Sequence, residues 1–338
     1  MPMERLLLFG DDLSRFPPVF IREIHTLIKD RSDIALCGVV DATKSDPTPE
    51  FIRKPYRLAV PLMKKMFNPT ENFHLKTRPR ETLSSVCAKL KIRVITPPGR
   101  NINDPAFIAY LKDEIKPTLG LSVGCLQIFQ NEIIHLFDVL INYHNGLLPE
   151  YGGLHATQWS IYHGEDVTGF TYHHVNDIID GGHIVLQGRI PLGSTPWNDD
   201  VEHFKTLKAA ECLGPLLGKM LDRDPGVAQG RRPRYFGKNA FEAITTIPDP
   251  GALTFEEIRR RLLVFKCLYI NIQGATYPVT AIRQTALKNE ARFKRVFITK
   301  DNLAVMPVRF LYLPLSLLAT YRFAVKHLLR RGKAVDSE

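Results

Sequence analysis

The sequence predicts an α/β protein built on an open, mostly parallel sheet. Short apolar runs alternate with amphipathic stretches over the first two hundred residues. The runs at Arg5–Phe9, Ile34–Val40, Ile92–Thr96, Leu119–Gly124 and Val139–Tyr143 have the length of buried strands. The segments between them are long enough for helical crossovers, which parallel strands require. In such a sheet, ligands bind at the carboxyl ends of the strands, where Pro97, Gly124 and His144 stand.

The helices follow from spacing and caps. Phe20, Ile21, Ile24, Leu27 and Ile28 form one apolar stripe, so Pro18–Asp30 reads as a helix between the first two strands. Gly10-Asp-Asp is not a Gly-x-Gly-x-x-Gly fingerprint, which leaves a dinucleotide unsupported. Residues 42–80, rich in Pro, Lys and Arg, read as a long connection. Helices follow at Glu81–Leu90, Asp104–Glu114 (Asp104 as cap, Pro105 in the first turn) and near Glu132–Leu136. Further on come a short helix at Thr157–His163, strands at Gly169–Val175 and His183–Pro191, and one long helix at Asp199–Leu221.

Pro225–Pro233 carries linker composition. The expected organisation is therefore a first domain over residues 1–224, a linker over 225–234 and a smaller α+β domain over 235–338. The latter should hold a helix at Thr254–Phe265, strands at Cys267–Ile272, Tyr277–Arg283, Arg295–Ile298 and Leu303–Leu313, and a basic helix near Leu317–Arg331. Charge is uneven. Residues 231–338 hold 20 Lys and Arg against 8 Asp and Glu, a balance of +12, which leaves −2 for the rest of a chain with net charge +10. Such a region could hold a polyanion, with Arg231, Arg232, Arg234, Arg259, Arg260, Arg261, Arg292, Lys294 and Arg295 as phosphate contacts, or be a solvated surface.

Five scattered cysteines without a Cys-x-x-Cys pair argue against a disulfide framework and suit a reducing compartment. No signal peptide is evident, and Phe310–Tyr321, the longest apolar stretch, contains Pro314 and is too short to cross a bilayer. A cytoplasmic protein without a membrane span is expected.

The chemistry concentrates in residues 138–190. Asn142 and His144 end a strand two positions apart, so their side chains share one side of it. Asp180 sits in an Asp-Gly-Gly turn. An amide donor, an imidazole and a carboxylate are a workable set for acyl transfer: one steadies an oxyanion, one moves protons and one orients the imidazole and raises its basicity. Spacing alone does not bring the three together. Six of the eleven histidines lie between His144 and His183, so a zinc hydrolase is a rival reading. It lacks a His-Glu-x-x-His, and His173 and His174 on a strand point to opposite faces, so no metal is expected.

Asn142-Tyr-His144-Asn-Gly-Leu-Leu-Pro149, Trp159-Ser-Ile-Tyr-His-Gly164-Glu, Thr168-Gly-Phe-Thr-Tyr-His173 and Ile179-Asp180-Gly-Gly together resemble the folate-dependent formyltransferases. The resemblance implies a Rossmann-like core, 10-formyltetrahydrofolate as formyl donor, and Asn142, His144 and Asp180 as the catalytic trio. It also implies a pterin lying against the backbone of Leu126, Gln127, Ile128 and Phe129, under a loop from Val175 to Asp180 with Val175 and Ile179 as contacts; Ile128 and Phe129 could equally be core. Gly146-Leu-Leu-Pro-Glu-Tyr-Gly152-Gly departs from the Ser-Leu-Leu-Pro-x-Tyr-Arg-Gly of the methionyl-tRNA enzymes. Leu154-His-Ala-Thr-Gln-Trp159 looks more like formyltransferases of amino sugars, amino acids or peptide natural products. A small-molecule amine is therefore the expected acceptor, initiator methionyl-tRNA the alternative, and a non-catalytic folate-binding sensor the reading of another class.

Overall fold

In the computed structural model, residues 3–12, 14–44, 81–193, 198–237, 240, 244–265, 268–272, 274–279, 281–285 and 296–307 are described. They divide into two compact units at Gly237. The first is built on a seven-stranded sheet of order β3-β2-β1-β4-β5-β7-β8. Its strands are β1 (Glu4–Gly10), β2 (Ile34–Asp41), β3 (Val94–Ile95), β4 (Leu119–Val123), β5 (Val139–His144), β7 (Val167–His174) and β8 (Ile184–Pro191). The first five are parallel to one another, and β7 runs antiparallel to both of its neighbours, β5 and β8. A short parallel pair, β6 (Gly152–Gly153) with β9 (Tyr235–Phe236), belongs to the same unit.

Both faces of the sheet are covered, as parallel strands require. Along β1, Leu6 and Leu8 enter one core cluster while Leu7 and Phe9 enter another. The first cluster is closed by α1 (Pro17–Ile28) and α2 (Leu83–Leu90), the second by α3 (Pro105–Tyr110) and the segment containing α4 (Asn131–Ile134). Local chemistry sets the helix starts. Pro17 and Pro18 open α1 with their backbone already restricted, Thr82 accepts from Ser85 N ahead of α2, and the Asp104 carboxylate accepts from Ala106 N and Phe107 N ahead of α3. After α5 (Ala156–His163), the long helix expected at 199–221 is two, α6 (Asn198–Glu211) and α7 (Leu213–Leu221). Pro215 has no N–H to offer the carbonyl of Glu211, so the helix breaks at Cys212.

In the second unit, β10 (Thr246–Ile247), β11 (Leu268–Ile272) and β12 (Ala275–Val279) form one sheet, and β13 (Ile282–Gln284), β15 (Ala304–Pro307) and β14 (Phe297–Ile298) another. α8 (Phe255–Phe265) buries Ile258 and Leu262 with Ile270, Val279 and Val305. Its arginines are engaged locally: Arg259 and Arg260 pair with Glu256, and Arg261 Nη1 donates to Ile244 O. The connection expected at 42–80 beyond residue 44, the helix near 317–331, and Arg292, Lys294 and Arg295 fall outside the described residues.

Tyr172 ties α6 to the sheet: wholly buried, its hydroxyl donates to Ala209 O at 2.7 Å. Tyr172→Phe removes this bond, leaving Ala209 O with Cys212 N as its donor, and should lower unfolding free energy by about 0.5–1.5 kcal/mol, read from urea denaturation with an unchanged slope. An unshifted midpoint would show that the bond contributes nothing.

Candidate active site

Three strands set the site. In register, Ser122 on β4 lies beside Asn142 on β5, and Asn142 lies opposite His173 on β7. The side chains continue that row. Ser122 Oγ donates to Asn142 Oδ1 at 2.9 Å, and Asn142 Nδ2 lies 3.2 Å from His173 Nε2. His173 Nδ1 is 2.8 Å from the carbonyl of His174, which can only accept, so Nδ1 carries the proton and Nε2 accepts from Asn142. The amide is thereby polarised at both ends, and its remaining N–H is left for the cavity that Asn142 lines.

His144 comes two residues later, on the same side of β5. Its Nε2 lies 2.5 Å from Tyr151 O, so Nε2 holds the proton and Nδ1 keeps its lone pair. Nδ1 faces Asp180 Oδ2 at 3.6 Å, and the other carboxylate oxygen lies 3.5 Å from His173 Nε2. Asp180 therefore spans the two imidazoles. The structure brings Asn142, His144 and Asp180 to one wall, and adds His173 and Ser122, which the sequence reading passed over.

Asp180 is placed by backbone. Its φ is +54°, a left-handed conformation, and Gly153 N donates to Oδ2 at 2.6 Å. Gly153 has φ +84°, and a Cβ there would meet Phe236 O at 2.6 Å. Gly182 approaches even more closely: a Cβ would lie 1.8 Å from His174 O. Gln229 Nε2 donates to the carbonyls of Asp180 and Gly182, both at 2.7 Å, and Val227 bridges to Ile184. Residues from 225 onward thus buttress the turn, a role hidden by their linker-like composition.

Burial and charge compete here. Desolvation pulls the His144 imidazole below its ordinary 6.5, outweighing Asp180, which raises it as expected, and the Tyr151 carbonyl. Burial alone would push the Asp180 carboxyl up, but His144, His173 and the Gly153 N–H together hold it well below the usual carboxylate range. The resting site is a neutral imidazole beside an ionised carboxylate.

The cavity measures about 430 Å³. Leu126, Gln127, Ile128, Phe129, Val175 and Ile179 all line it. Leu126 and Ile128 are more than 60% exposed, and Ile178 and Ile179, which line the same cavity, are exposed too. Phe129 instead packs its ring edge-on against Phe9, centroids 5.1 Å apart, and Val175 is packed on the same core. The Gln127 amide is spent on structure: Nε2 donates to Ala42 O and Arg100 O, and Oε1 accepts from Ile102 N. Only its backbone is available to a ligand. Among the described residues no cluster of His, Cys, Asp and Glu is arranged to hold a metal, and no helix is long and apolar enough to cross a membrane.

Asp180→Asn removes the charge that raises the His144 pKa, so the imidazole midpoint should fall further, measured by NMR titration of ring nitrogens; a rise would contradict the geometry. The effect on stability has a definite sign. A histidine depressed in the fold binds fewer protons than in the unfolded chain, so its contribution is present above about 6.5 and declines as pH falls through the folded value.

Known proteins share the segment that builds this site. Residues 84–209 match the formyl transferase family. GDP-perosamine N-formyltransferase of Brucella melitensis is 35% identical over 144 residues, 42% of this chain and 56% of that protein. Methionyl-tRNA formyltransferase of Syntrophus aciditrophicus is 36% identical over 103 residues, 30% of this chain and 32% of that protein. The alignments thus span just over half or less of these relatives. Among solved structures, a 4-N formyltransferase from Francisella tularensis superposes with TM-score 0.58 at 16% identity, over 82% of this chain and 97% of that one. An N-formyltransferase from Helicobacter canadensis, solved with folinic acid and dTDP-3-aminofucose, gives 0.56 at 15%, over 90% and 99%. These two likenesses establish a shared fold.

Proposed function

We propose that this chain, which carries a formyl transferase domain, transfers a formyl group from 10-formyltetrahydrofolate to the amine of a small molecule, an amino sugar first among the candidates. The observation that carries the reading is the meeting of Asn142, His144 and Asp180 on one cavity wall. The relative acting on GDP-perosamine supports the sugar. The exposed apolar residues Leu126, Ile128, Ile178 and Ile179 fit a flat ring system, and backbone groups of 126–129 are within the same cavity wall.

When bound, the folate supplies an electrophilic formyl carbon and a nitrogen leaving group. Asn142 offers its unused N–H to the formyl oxygen as negative charge develops there, while Ser122 and His173 keep the amide from rotating. His144 Nδ1 accepts a proton from the attacking amine. Asp180, 3.6 Å away, steadies the imidazolium and holds it until the proton passes to the departing nitrogen.

Asn142→Ala should lower kcat by about 10²–10³-fold and His144→Ala by about 10²–10⁴-fold, with the double variant little worse than the poorer single one. Turnover near wild type in either would remove the assignment. Since His144 must be neutral to accept a proton, kcat/KM should fall on the acid side with a midpoint below 6.5 and be level above it. The acceptor is identified by incubating amino sugars, nucleotide amino sugars, amino acids and charged tRNA with the donor and weighing products for one added formyl group.

Initiator methionyl-tRNA is the second reading, favoured by the relatives of that name. A tRNA acceptor would release counterions, with a log–log salt slope of about −0.9 per duplex phosphate contacted. The engagement of Arg259, Arg260 and Arg261 within their own unit supports a shallow slope instead. Selective, steeply salt-dependent formylation of the initiator would reverse the order of the two readings.

A further inference from the structure

Lys205 on α6 is wholly buried and takes no part in the proton transfer itself. Its ammonium has three N–H groups, and three oxygens surround it. These are Asn145 O at 2.9 Å, Thr157 Oγ1 at 2.9 Å and Thr168 Oγ1 at 3.4 Å. They belong to the loop after β5, to α5 and to β7 respectively. Burial brings the lysine pKa down to about 7, and Glu202, one turn earlier on the same helix, counters it through space. An apolar side chain would fill this volume without the cost of desolvating a charge, so packing alone does not account for a lysine here.

Asn145 is the next residue after His144, and it is held from several directions. Its amide nitrogen donates to Thr157 Oγ1 at 3.2 Å, and its amide oxygen accepts from the Tyr143 hydroxyl at 3.2 Å. Its carbonyl oxygen takes the Lys205 ammonium. We propose that Lys205 is a positioning residue for formyl transfer: it clamps the Asn145 carbonyl to α5 and β7, and so fixes where the His144 ring sits. This rests on His144 being the proton acceptor. The charge has a second effect. Around His144, Asp180 favours the protonated ring, whereas His173 and Lys205 oppose it. The ammonium therefore helps keep Nδ1 free.

Lys205→Met keeps the length and removes the charge. Thr157 retains the Asn145 amide and Thr168 retains Ser160, so the Asn145 carbonyl is the group that loses its donor. The expected result is a fall in kcat of about tenfold or more, as for a misplaced catalytic group, with the KM for the formyl folate within about twofold. The NMR midpoint of His144 should rise. Lys205→Gln supplies a neutral donor and should recover part of kcat without lowering that midpoint. If Lys205→Met does not fold, Lys205→Gln carries both measurements, and Thr157→Val, which keeps the charge, carries the kcat measurement alone. An unchanged kcat, a loss confined to KM, or an unmoved His144 midpoint overturns the proposal. The midpoint is read without substrate. A wild-type protein that formylates nothing would end the formyl-transfer reading, while the effect of Lys205 on the ring is still judged.

Discussion

The register of β5 between β4 and β7 is the constraint on which the site depends. A parallel neighbour on one side and an antiparallel one on the other bring Ser122, Asn142 and His173 into one row across the sheet. Because side chains alternate along a strand, a slip of one residue would turn His173 away and present His174 in its place. The same alternation sends Ile141 and Tyr143 into the core on the far side. The face that lines the cavity and the structural core are thus two sides of one ladder, and neither can shift alone.

What the row establishes, the turn at Asp180 completes. A carboxylate in so buried a place is held by the Gly153 N–H, and it is stabilised further whenever a facing imidazole takes up a proton. His144 shows the opposite balance, with burial prevailing over the neighbouring charge. The pair is therefore separated in proton affinity by environment, with the ring left neutral and the acid left ionised. That division suits a group which must take up a proton and then give it back.

Much of this was legible in the sequence, for physical reasons. Buried strands and capped helices leave strong local signatures, and a period of two already placed Asn142 and His144 on one side. The meeting with Asp180 was not readable from spacing, because it depends on a left-handed residue and two glycines in a turn. His173 was in view as the end of one resembling block and as half of a His-His pair dismissed as a metal site, although the parity that ruled out a shared metal also put it on the face that lines the cavity. Gln127 shows the limit of assigning a segment by resemblance: it lines the cavity, yet its side chain braces two other loops, after β2 and around residues 100–102. Gln229 and Val227 were hidden because a Pro- and Gly-rich stretch has no period to reveal what it touches. Cys212 marks the same difficulty inside a helix, where one proline outweighed an otherwise continuous pattern.

The stretch from Val227 to Phe236 bears on how this protein could be recombined with others. By composition, a natural cut falls after α7, and everything beyond it would be exchangeable. In the fold, that cut would strip the Asp180 turn of Gln229 and Val227, and β6 of its partner strand. A transplanted C-terminal module would have to be joined beyond Phe236 for the acid to keep its place. Modular exchange in this architecture is therefore bounded by about ten residues that belong, by contact, to the first unit rather than to the C-terminal one.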